Sequence, residues 1–450
     1  MATSGRLRPT AGSFLDCLSY FLTPQVWKQV QQAFQPWRSL RWRPQPLVFV
    51  MLVMTWCTGD SLPERFETAR AFYVASYQRK RRPGKTVEGF SKAWTRLPAA
   101  AMRAVADALR RRLAQVFAEH LQVEGFVPLG CDGSRLACPR TAPLQQRLGG
   151  ESQGSPQIWV TAIVHLSLGL LWSWRLGKGN ASERSHLRQL IRTLPAAALL
   201  VADAGYPGYE VLQALHTQGV HFLMRLSSRA PLYATERVAL SGFREGLVYY
   251  WPQKAQQQQF APLQVRLLRI HGRHADVWLI TNVLTAERLS RHTAGQFYRW
   301  RWRNEGLFRT YKRTLGKVKL MSHTVAMAHR EAEGSLLAVQ LLLAQGSLAL
   351  NRPGTKTVDA KTVVRPSARK VLLTIRAEVR NVTGMYLGPR QRQTYLERLE
   401  QARGDTRRRR RNQVRQPWPG RTDHKPPHRP KILKMGTDLK RLLATTLDAA

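Results

Sequence analysis

The chain has 450 residues, which is long enough for one large domain with smaller attachments. Hydrophobic residues make up 43% of the chain, and this composition excludes a wholly disordered protein. Lys and Arg total 71 against 28 Asp and Glu, so the formal net charge is +43. Because so many positive charges repel one another, we expect the protein to bind a polyanion, above all nucleic acid.

The first quarter of the chain is predicted to be helical. From Phe14 to Phe117 apolar residues recur every three or four positions, as in helices that bury one face. Residues 78–85 (QRKRRPGK) interrupt this pattern with a basic stretch broken by Pro and Gly, which predicts a loop. We therefore predict a helical domain over residues 1–122 that binds DNA ends. A helical lid that only packs on the next domain is the alternative.

Between residues 123 and 227 short apolar strands alternate with helices. The predicted order, β-β-β-α-β-α-β, is that of a ribonuclease-H-like core, an α/β fold with a mixed sheet. The predicted strands are Phe126–Asp132, Ile158–His165, Gly169–Leu176, Leu199–Asp203 and His221–Leu226, and the predicted helices are Glu183–Leu194 and Tyr209–Thr217.

Residues 228–285 depart from that alternation and predict an inserted β-subdomain. Three strand-like runs surround a polar, glutamine-rich loop there, and they are Val248–Trp251, Leu263–Ile270 and Val277–Thr281. The helical pattern then returns and includes the apolar segment Arg330–Leu350, so the second domain is predicted to span residues 123–350.

Residues 351–450 form a basic C-terminal region that includes the run Arg407–Arg411. We predict that this region is partly disordered until it contacts DNA or a second subunit. A solvated tail without a partner is the alternative.

Neither the apolar runs nor the cysteines indicate a membrane or an oxidising compartment. The longest apolar run, Leu47–Cys57, has about half of the roughly 20 residues that span a bilayer. The first residues, MATSGRLRPT, lack the apolar stretch of a secretory signal. The four cysteines are too few for a disulfide scaffold, and none are spaced as C-x2-C. We predict a cytoplasmic, nucleoid-associated protein without a membrane partner or a structural zinc site.

Two aspartates follow apolar strands. Asp132 ends the sequence GFVPLGCD and Asp203 ends ALLVAD, so both are expected at the same edge of one sheet. Acidic residues number only 28 in 450, which makes this placement informative. Carboxylates that converge from separate elements are what a pair of divalent cations requires. The alternative for each aspartate is an ordinary turn or helix cap.

The segment YRWRWRNEGLFRTYK, from Tyr298 to Lys312, is predicted to be one helix. At about 100° per residue, Tyr298, Arg301, Glu305 and Lys312 fall within one narrow arc. Aromatic and leucine side chains form an adjoining apolar stripe, so the helix can pack on the sheet while presenting this polar row to a cleft. The alternatives are a solvated basic face for Arg301 and Lys312 and an i,i+4 ion pair for Glu305.

This spacing, Y-x2-R-x3-E-x6-K, resembles the YREK signature of bacterial insertion-sequence transposases of the insertion-sequence-4 type, which are DDE enzymes. The DGS triplet at Asp132 resembles the same family's D-[GTS]-[ST] element, and DAGY at Asp203 resembles its D-x-G-Y element. The resemblance covers roughly residues 125–350. It implies a DDE catalytic domain with a β-rich insertion before the last acidic helix.

The resemblance implies that Asp132, Asp203 and Glu305 are the catalytic residues and bind two Mg²⁺ ions, with Mn²⁺ as a substitute. The ions would activate a water, or a 3′-hydroxyl in the joining step, for attack on phosphorus. The implied reaction is the cut-and-paste movement of an insertion sequence by DNA cleavage and strand transfer.

The resemblance also implies DNA contacts from Tyr298, Arg301 and Lys312, whose side chains would bind phosphates. Trp278 lies where some relatives place an aromatic ring against an unstacked base, although a buried strand residue is the alternative. The implied partners are double-stranded DNA with terminal inverted repeats, target DNA, and a second copy of the chain in a homodimer.

Two other functions are compatible with these residues. A metal-dependent nuclease shares every catalytic feature and differs only in making no joined products. A catalytically silent, transposase-derived DNA-binding protein would carry a broken triad, whereas Asp132, Asp203 and Glu305 are all present in this chain.

Overall fold

The computed structural model describes residues 13–32, 41–77, 82–149, 154–227, 230–272, 276–351, 363–382, 395–403 and 429–437. The run Arg407–Arg411, half of the predicted basic loop at residues 78–85 and most of the C-terminal region lie outside the described residues.

Helices dominate both ends of the described chain. In chain order they are α1 Phe14–Phe21, α2 Pro24–Gln32, α3 Pro44–Trp56, α4 Leu62–Ser76, α5 Val87–Arg96, α6 Ala99–Val116, α7 Ala118–Leu121, α8 Ala142–Leu148, α9 Glu183–Leu190, α10 Tyr209–Thr217, α11 Gln253–Gln257, α12 Arg291–Trp300, α13 Arg303–Arg309, α14 Val325–Leu350, α15 Ala368–Val382 and α16 Tyr395–Glu400.

Strands occupy the middle of the chain. They are β1 Val127–Ala137, β2 Gln157–His165, β3 Leu170–Lys178, β4 Ala198–Ala202, β5 His221–Arg225, β6 Pro231–Ala234, β7 Glu245–Tyr250, β8 Leu263–Ile270, β9 Val277–Thr281 and β10 Lys431–Lys434. The predicted helical region before residue 122 and the alternating region after it are both confirmed.

The chain forms two compact units, each of which is discontinuous in sequence. The first contains Met1–Leu121, Gly133–Ala181 and Arg303–Asp405, and the second contains Gln122–Asp132, Ser182–Trp302 and Thr406–Ala450. The predicted boundaries at residues 122 and 350 follow the linear sequence and stay predictions.

Helix α14 is the centre of the first unit. The indole of Trp56 in α3 donates a 3.2 Å hydrogen bond to the carbonyl of Ala338, and the amide of Gln340 donates to the carbonyl of Leu171 in β3. A β-carbon at Gly334 would collide with Met51, so the glycine allows α3 to approach closely. The N-terminal helices therefore share one apolar core with the helix that follows residue 325.

The same helix is long and apolar enough to cross a bilayer by length and composition. Within its most apolar stretch, however, 94% of the residues are buried inside the protein. That burial is the property of a core helix, because a bilayer-spanning helix would need an apolar outer surface.

Strands β2 and β3 form an antiparallel hairpin in the first unit, beside β1. Strand β1 contributes Gly133–Ala137 to this unit and Val127–Asp132 to the other. In the second unit β1 pairs in parallel with β4, and β4 pairs in parallel with β5. The resulting order, β3-β2-β1-β4-β5, is that of the predicted ribonuclease-H-like core.

The predicted β-rich insertion continues the sheet of the second unit. Strands β6, β7, β8 and β9 pair antiparallel in succession, and β9 pairs antiparallel with β5. At the outer side, β10 pairs in parallel with β6. The insertion is therefore an extension of the core sheet, since β9 carries its hydrogen bonds directly to β5.

Candidate active site

The parallel pairing of β1 with β4 in the second unit leads towards both aspartates, Asp132 and Asp203. The β1–β4 pairing runs from Val127 opposite Ala198 to Gly130 opposite Val201, and the same offset carries Asp132 to Asp203. Opposed residues on adjacent parallel strands direct their side chains to the same face of the sheet. The expectation that Asp132 ends its strand is wrong, because β1 continues to Ala137, and Asp132 lies two residues beyond Gly130, where the pairing with β4 ends.

The carboxylate of Asp203 is surrounded by donors and cations. Its Oδ1 accepts a 2.9 Å hydrogen bond from the Ala204 amide and a 3.2 Å bond from the Tyr298 hydroxyl. A guanidinium nitrogen of Arg301 lies 3.5 Å from Oδ2, and one of Arg225 lies 3.9 Å from Oδ1. These groups fix the orientation of a side chain that remains 41% exposed.

Arg225 is a contact that the sequence reasoning missed. It is the last residue of β5, and the β4–β5 register places Ala202 opposite Met224, so Asp203 is level with Arg225. The sequence contained one signal for this contact, which is a basic residue at the end of the strand that pairs with ALLVAD.

The guanidinium of Arg301 contacts two aromatic rings. Its guanidinium carbon lies 5.4 Å from the ring centroid of Tyr298 and 4.8 Å from that of Trp302. The Arg301 side chain is only 8% exposed, whereas Trp302 is 59% exposed. Its Nε is buried and has no hydrogen-bond partner among the described residues. Cation–π contacts with these two rings stabilise the planar guanidinium beside Asp203.

Tyr298 lies on helix α12. A side chain of the sheet holds the loop that precedes this helix. The Ser290 hydroxyl caps the helix by accepting from the Thr293 amide. Arg266 of β8 is buried, pairs with Glu245 and donates to the carbonyls of Val283, Thr285 and Leu289. These hydrogen bonds from a buried cation hold the loop that leads into α12 in a fixed position.

The segment from Tyr298 to Lys312 is not one straight helix. Helix α12 ends at Trp300, where the Arg301 amide donates to the Tyr298 carbonyl in a tighter turn, and α13 begins at Arg303. A π-helical turn over Thr310–Thr314 then changes the angular spacing again. The prediction of one continuous helix is therefore wrong, and the single polar face that was built on it stays a prediction.

Glu305 and Lys312 belong to the first unit, where α13 packs by its apolar side. Leu307, Phe308 and Tyr311 are buried in the core of this unit, as the apolar stripe predicted. Glu305 is exposed, and Lys312 is half-buried, so desolvation lowers the pKa of its amine. The roles of both side chains stay predictions.

The donor chemistry of the second unit suits a hard divalent cation. Asp132 and Asp203 offer carboxylate oxygens, the ligands that Mg²⁺ prefers, and Asp203 is accessible. Across the part of the chain that the structure describes, no three His, Cys, Asp or Glu side chains form a metal-binding group. The third ligand, assigned to Glu305 from the sequence, stays a prediction.

Trp278 lies in β9 and is buried. Its ring centroid is 5.8 Å from that of Phe243, and the Arg269 guanidinium carbon lies 5.6 Å from it. The indole also lines a cavity of about 260 Å³ together with Arg269, Asp276 and Arg429. The position fits the buried-strand alternative, and a contact with DNA stays a prediction.

Residues 131–341 match the family model of the transposase DDE domain, and this range contains every predicted catalytic residue. The match supports a DDE transposase. Among solved structures, the chain is similar to a piggyBac transposase in a synaptic complex with hairpin DNA. That similarity has a TM-score of 0.41 and 12% sequence identity over 88% of this chain and 86% of the other. No curated protein matches the chain.

Proposed function

We propose that this protein is a cut-and-paste transposase of the insertion-sequence-4 type, which cleaves DNA at the ends of its element and joins those ends to target DNA. The observation that carries the proposal is the set of contacts that Tyr298 and Arg301 make with Asp203, and the β1–β4 register supports it, since its offset continued by two residues would bring Asp132 level with Asp203. These residues lie in the segment that matches the transposase DDE domain.

Asp132, Asp203 and Glu305 would hold two Mg²⁺ ions, which supply an activated oxygen nucleophile and neutralise charge on the phosphate. Asp203 needs a fixed orientation for this task, and the hydrogen bonds from Tyr298 and Ala204 provide it. Arg301 balances the Asp203 charge, and its remaining donors can reach a phosphate oxygen because a guanidinium carries five N–H groups. Lys312 adds a further cation for the phosphate.

The DNA partner is inferred from charge and chemistry together. A net charge of +43 spreads phosphate contacts over many residues, so binding would not depend on any single cation. We propose terminal inverted repeats and target DNA as the substrates, and a homodimer as the form that brings two ends together. Residues 1–122, which are rich in helices, are proposed to bind the DNA end.

The proposal is tested with the full chain and a donor DNA that carries the sequences flanking its reading frame. We expect Mg²⁺-dependent breaks at the element ends and new junctions with an added target plasmid, both detected by sequencing. A donor with scrambled flanks is the matched control. Breaks without junctions would identify a nuclease, and DNA binding with neither product would identify a silent derivative.

A further inference from the structure

An open cavity of about 340 Å³ lies between α9, α10 and α11 of the second unit. Three cationic side chains line it, and they belong to Arg184, Arg188 and Lys254. Among the described residues of the lining, Glu210 is the only acidic one. Three positive charges against one negative charge leave the lining with a net charge of +2, so the cavity attracts anions.

Ion pairs within the protein do not account for these cations. Nitrogen atoms of Arg188 and Lys254 lie 2.7 Å and 3.4 Å from the two carboxylate oxygens of Glu210. All three side chains are more than half exposed, and ion pairs at such positions add little to stability. One carboxylate neutralises only one of the two cations, and each cation keeps further N–H donors that can bind a second anion.

Hydrogen bonds and ring stacking hold the walls of the cavity in place. The Tyr209 hydroxyl at the start of α10 donates a 2.6 Å hydrogen bond to the Ala261 carbonyl, and the Tyr209 ring stacks on Phe260. In α11 the side-chain amide of Gln256 donates to the carbonyl of Trp251. The cavity is therefore shaped before a ligand enters, which lowers the entropic cost of binding.

Arg184 joins this cavity to the turn that follows Asp203. Its Nε donates a 3.0 Å hydrogen bond to the Gly205 carbonyl, and its Nη1 would lie 3.3 Å from a β-carbon placed at Gly208. Gly205 comes two residues after Asp203, and two residues span at most about 7 Å. An anion bound by Arg184 would therefore lie beside the turn that carries Asp203.

The chemistry of the lining favours a phosphate group as the anion. The side chains of Ser182, Ser185 and Gln258 add hydroxyl and amide groups beside the cations. Guanidinium groups bind phosphate oxygens through paired hydrogen bonds. A second copy of the chain could offer few carboxylates, because only 28 of its 450 residues are acidic. Duplex DNA, by contrast, carries one negative charge for about every 1.7 Å of its length.

We propose that this cavity binds a backbone phosphate of the DNA, other than the phosphate that is cleaved, through Arg184, Arg188 and Lys254. The inference rests on the proposed function for its ligand, because that function makes DNA the substrate. The contact holds the DNA against the second unit beside the turn of Asp203. Glu210 pairs with two of the three cations and therefore competes with the phosphate.

The first experiment measures the affinity of the full chain for DNA that carries the element ends, without divalent ions so that no cleavage occurs. Arg188→Gln combined with Lys254→Gln should weaken binding about tenfold, because charge-assisted hydrogen bonds to a phosphate are lost. Arg192→Gln combined with Arg237→Gln is the matched control, since both are exposed arginines of the second unit outside this lining. Equal losses in the two double variants would overturn the proposal.

Glu210→Gln distinguishes phosphate binding from a structural role of the ion pairs. It breaks the same two pairs but leaves both cations in the cavity. We therefore expect it to bind DNA more tightly, by about threefold, whereas the double variant binds more weakly. If Glu210→Gln weakened binding as the double variant does, the pairs would serve the structure and the proposal would be wrong.

The second experiment locates the phosphate by replacing single phosphates of the DNA with uncharged methylphosphonates. The unmodified chain and the control pair should lose affinity at a position where the Arg188→Gln, Lys254→Gln variant shows no loss. Identical patterns in all three proteins would exclude a DNA phosphate from the cavity. Identical patterns together with pyrophosphate binding that requires Arg188 and Lys254 would assign the cavity to a small phosphate ligand instead.

Cleavage of the same DNA in Mg²⁺ is measured separately with the unmodified chain. A pattern that depends on the cavity, in a chain that makes no cleavage product, would support the phosphate site and reject the proposed transposase function. Cleavage by a chain whose pattern does not depend on the cavity would have the opposite meaning.

Discussion

The hydroxyl of Tyr298 donates a 3.2 Å hydrogen bond to Oδ1 of Asp203, 95 residues earlier in the chain. Burial raises the pKa of Tyr298; Arg301 opposes this rise and Asp203 adds to it. The hydroxyl therefore stays protonated at neutral pH and remains a donor. The tyrosine and the arginine of the Y-x2-R-x3-E-x6-K spacing thus both contact Asp203, the residue that we propose as a metal ligand.

Replacing Tyr298 with Phe removes that donor and keeps the buried ring. We expect the single-turnover rate of end cleavage to fall by about fivefold, since a hydrogen bond contributes about 1 kcal/mol. Tyr249→Phe is the control, because its hydroxyl only accepts a 3.4 Å bond from Gln264 at an exposed site. An unchanged rate in Tyr298→Phe would show that the orientation of Asp203 does not depend on this bond.

Replacing Arg301 with Lys keeps the charge but loses the planar group that contacts Tyr298 and Trp302. We expect cleavage at saturating DNA to fall by roughly tenfold or more, because charge-assisted hydrogen bonds contribute about 1.5–3 kcal/mol. Arg299→Lys changes an exposed residue of the same helix and should cleave normally. Normal cleavage by Arg301→Lys would mean that only the local charge matters, and an equal loss in both variants would mean that the contacts of Arg301 are not its cause.

Replacing Lys312 with Ala tests the last residue of the YREK spacing. We expect the cleavage step to lose about 1–3 kcal/mol of transition-state stabilisation. Affinity for DNA should fall less, and the slope of log affinity against log salt should change by about one unit. Arg313→Ala, at the exposed neighbouring position, should affect only binding. Normal cleavage with greatly weakened binding would make Lys312 a general anchor.

The buried pair of Lys317 and Glu331 predicts an acid-sensitive first unit. Burial alone would raise the pKa of Glu331, but Lys317 and hydrogen bonds from Ser322 and the Met321 amide hold it below its usual range. The resulting stabilisation is present above the unfolded-state pKa and is lost as pH falls through the lower folded-state pKa.

Urea unfolding of Glu331→Gln and the unmodified chain at neutral and acidic pH measures this effect. We expect the variant to be destabilised by about 3–5 kcal/mol at neutral pH, with a smaller difference in acid. Glu88→Gln, at an exposed position of α5, is the control. A difference that does not shrink as pH falls would contradict the account.

Most of the core was predictable because its signals are local. Apolar runs that end in a polar residue predicted β1, β4 and β5, and β1 does pair with β4 in the structure. The register itself depends on tertiary pairing, which explains why the continuation of β1 to Ala137 was missed.

The break at Arg301–Trp302 was not predictable from helical periodicity. The residues on both sides favour a helix, and the turn occurs where Arg301 contacts Asp203 and two aromatic rings. Arg225 was missed for a related reason. It belongs to no recognisable spacing, and it approaches Asp203 through the order of the strands.

The most direct test of the central claim compares Asp203→Asn with the unmodified chain on DNA that carries the element ends. The substitution keeps the shape of the side chain and removes the charge that a metal ion requires, while the other phosphate contacts remain. Asp107→Asn, in α6 of the first unit, is the control. We predict that Asp203→Asn shifts the DNA in a gel with unchanged affinity and makes no Mg²⁺-dependent cleavage product. Cleavage by Asp203→Asn at the rate of the unmodified chain would contradict the assignment of Asp203 to the catalytic metal site.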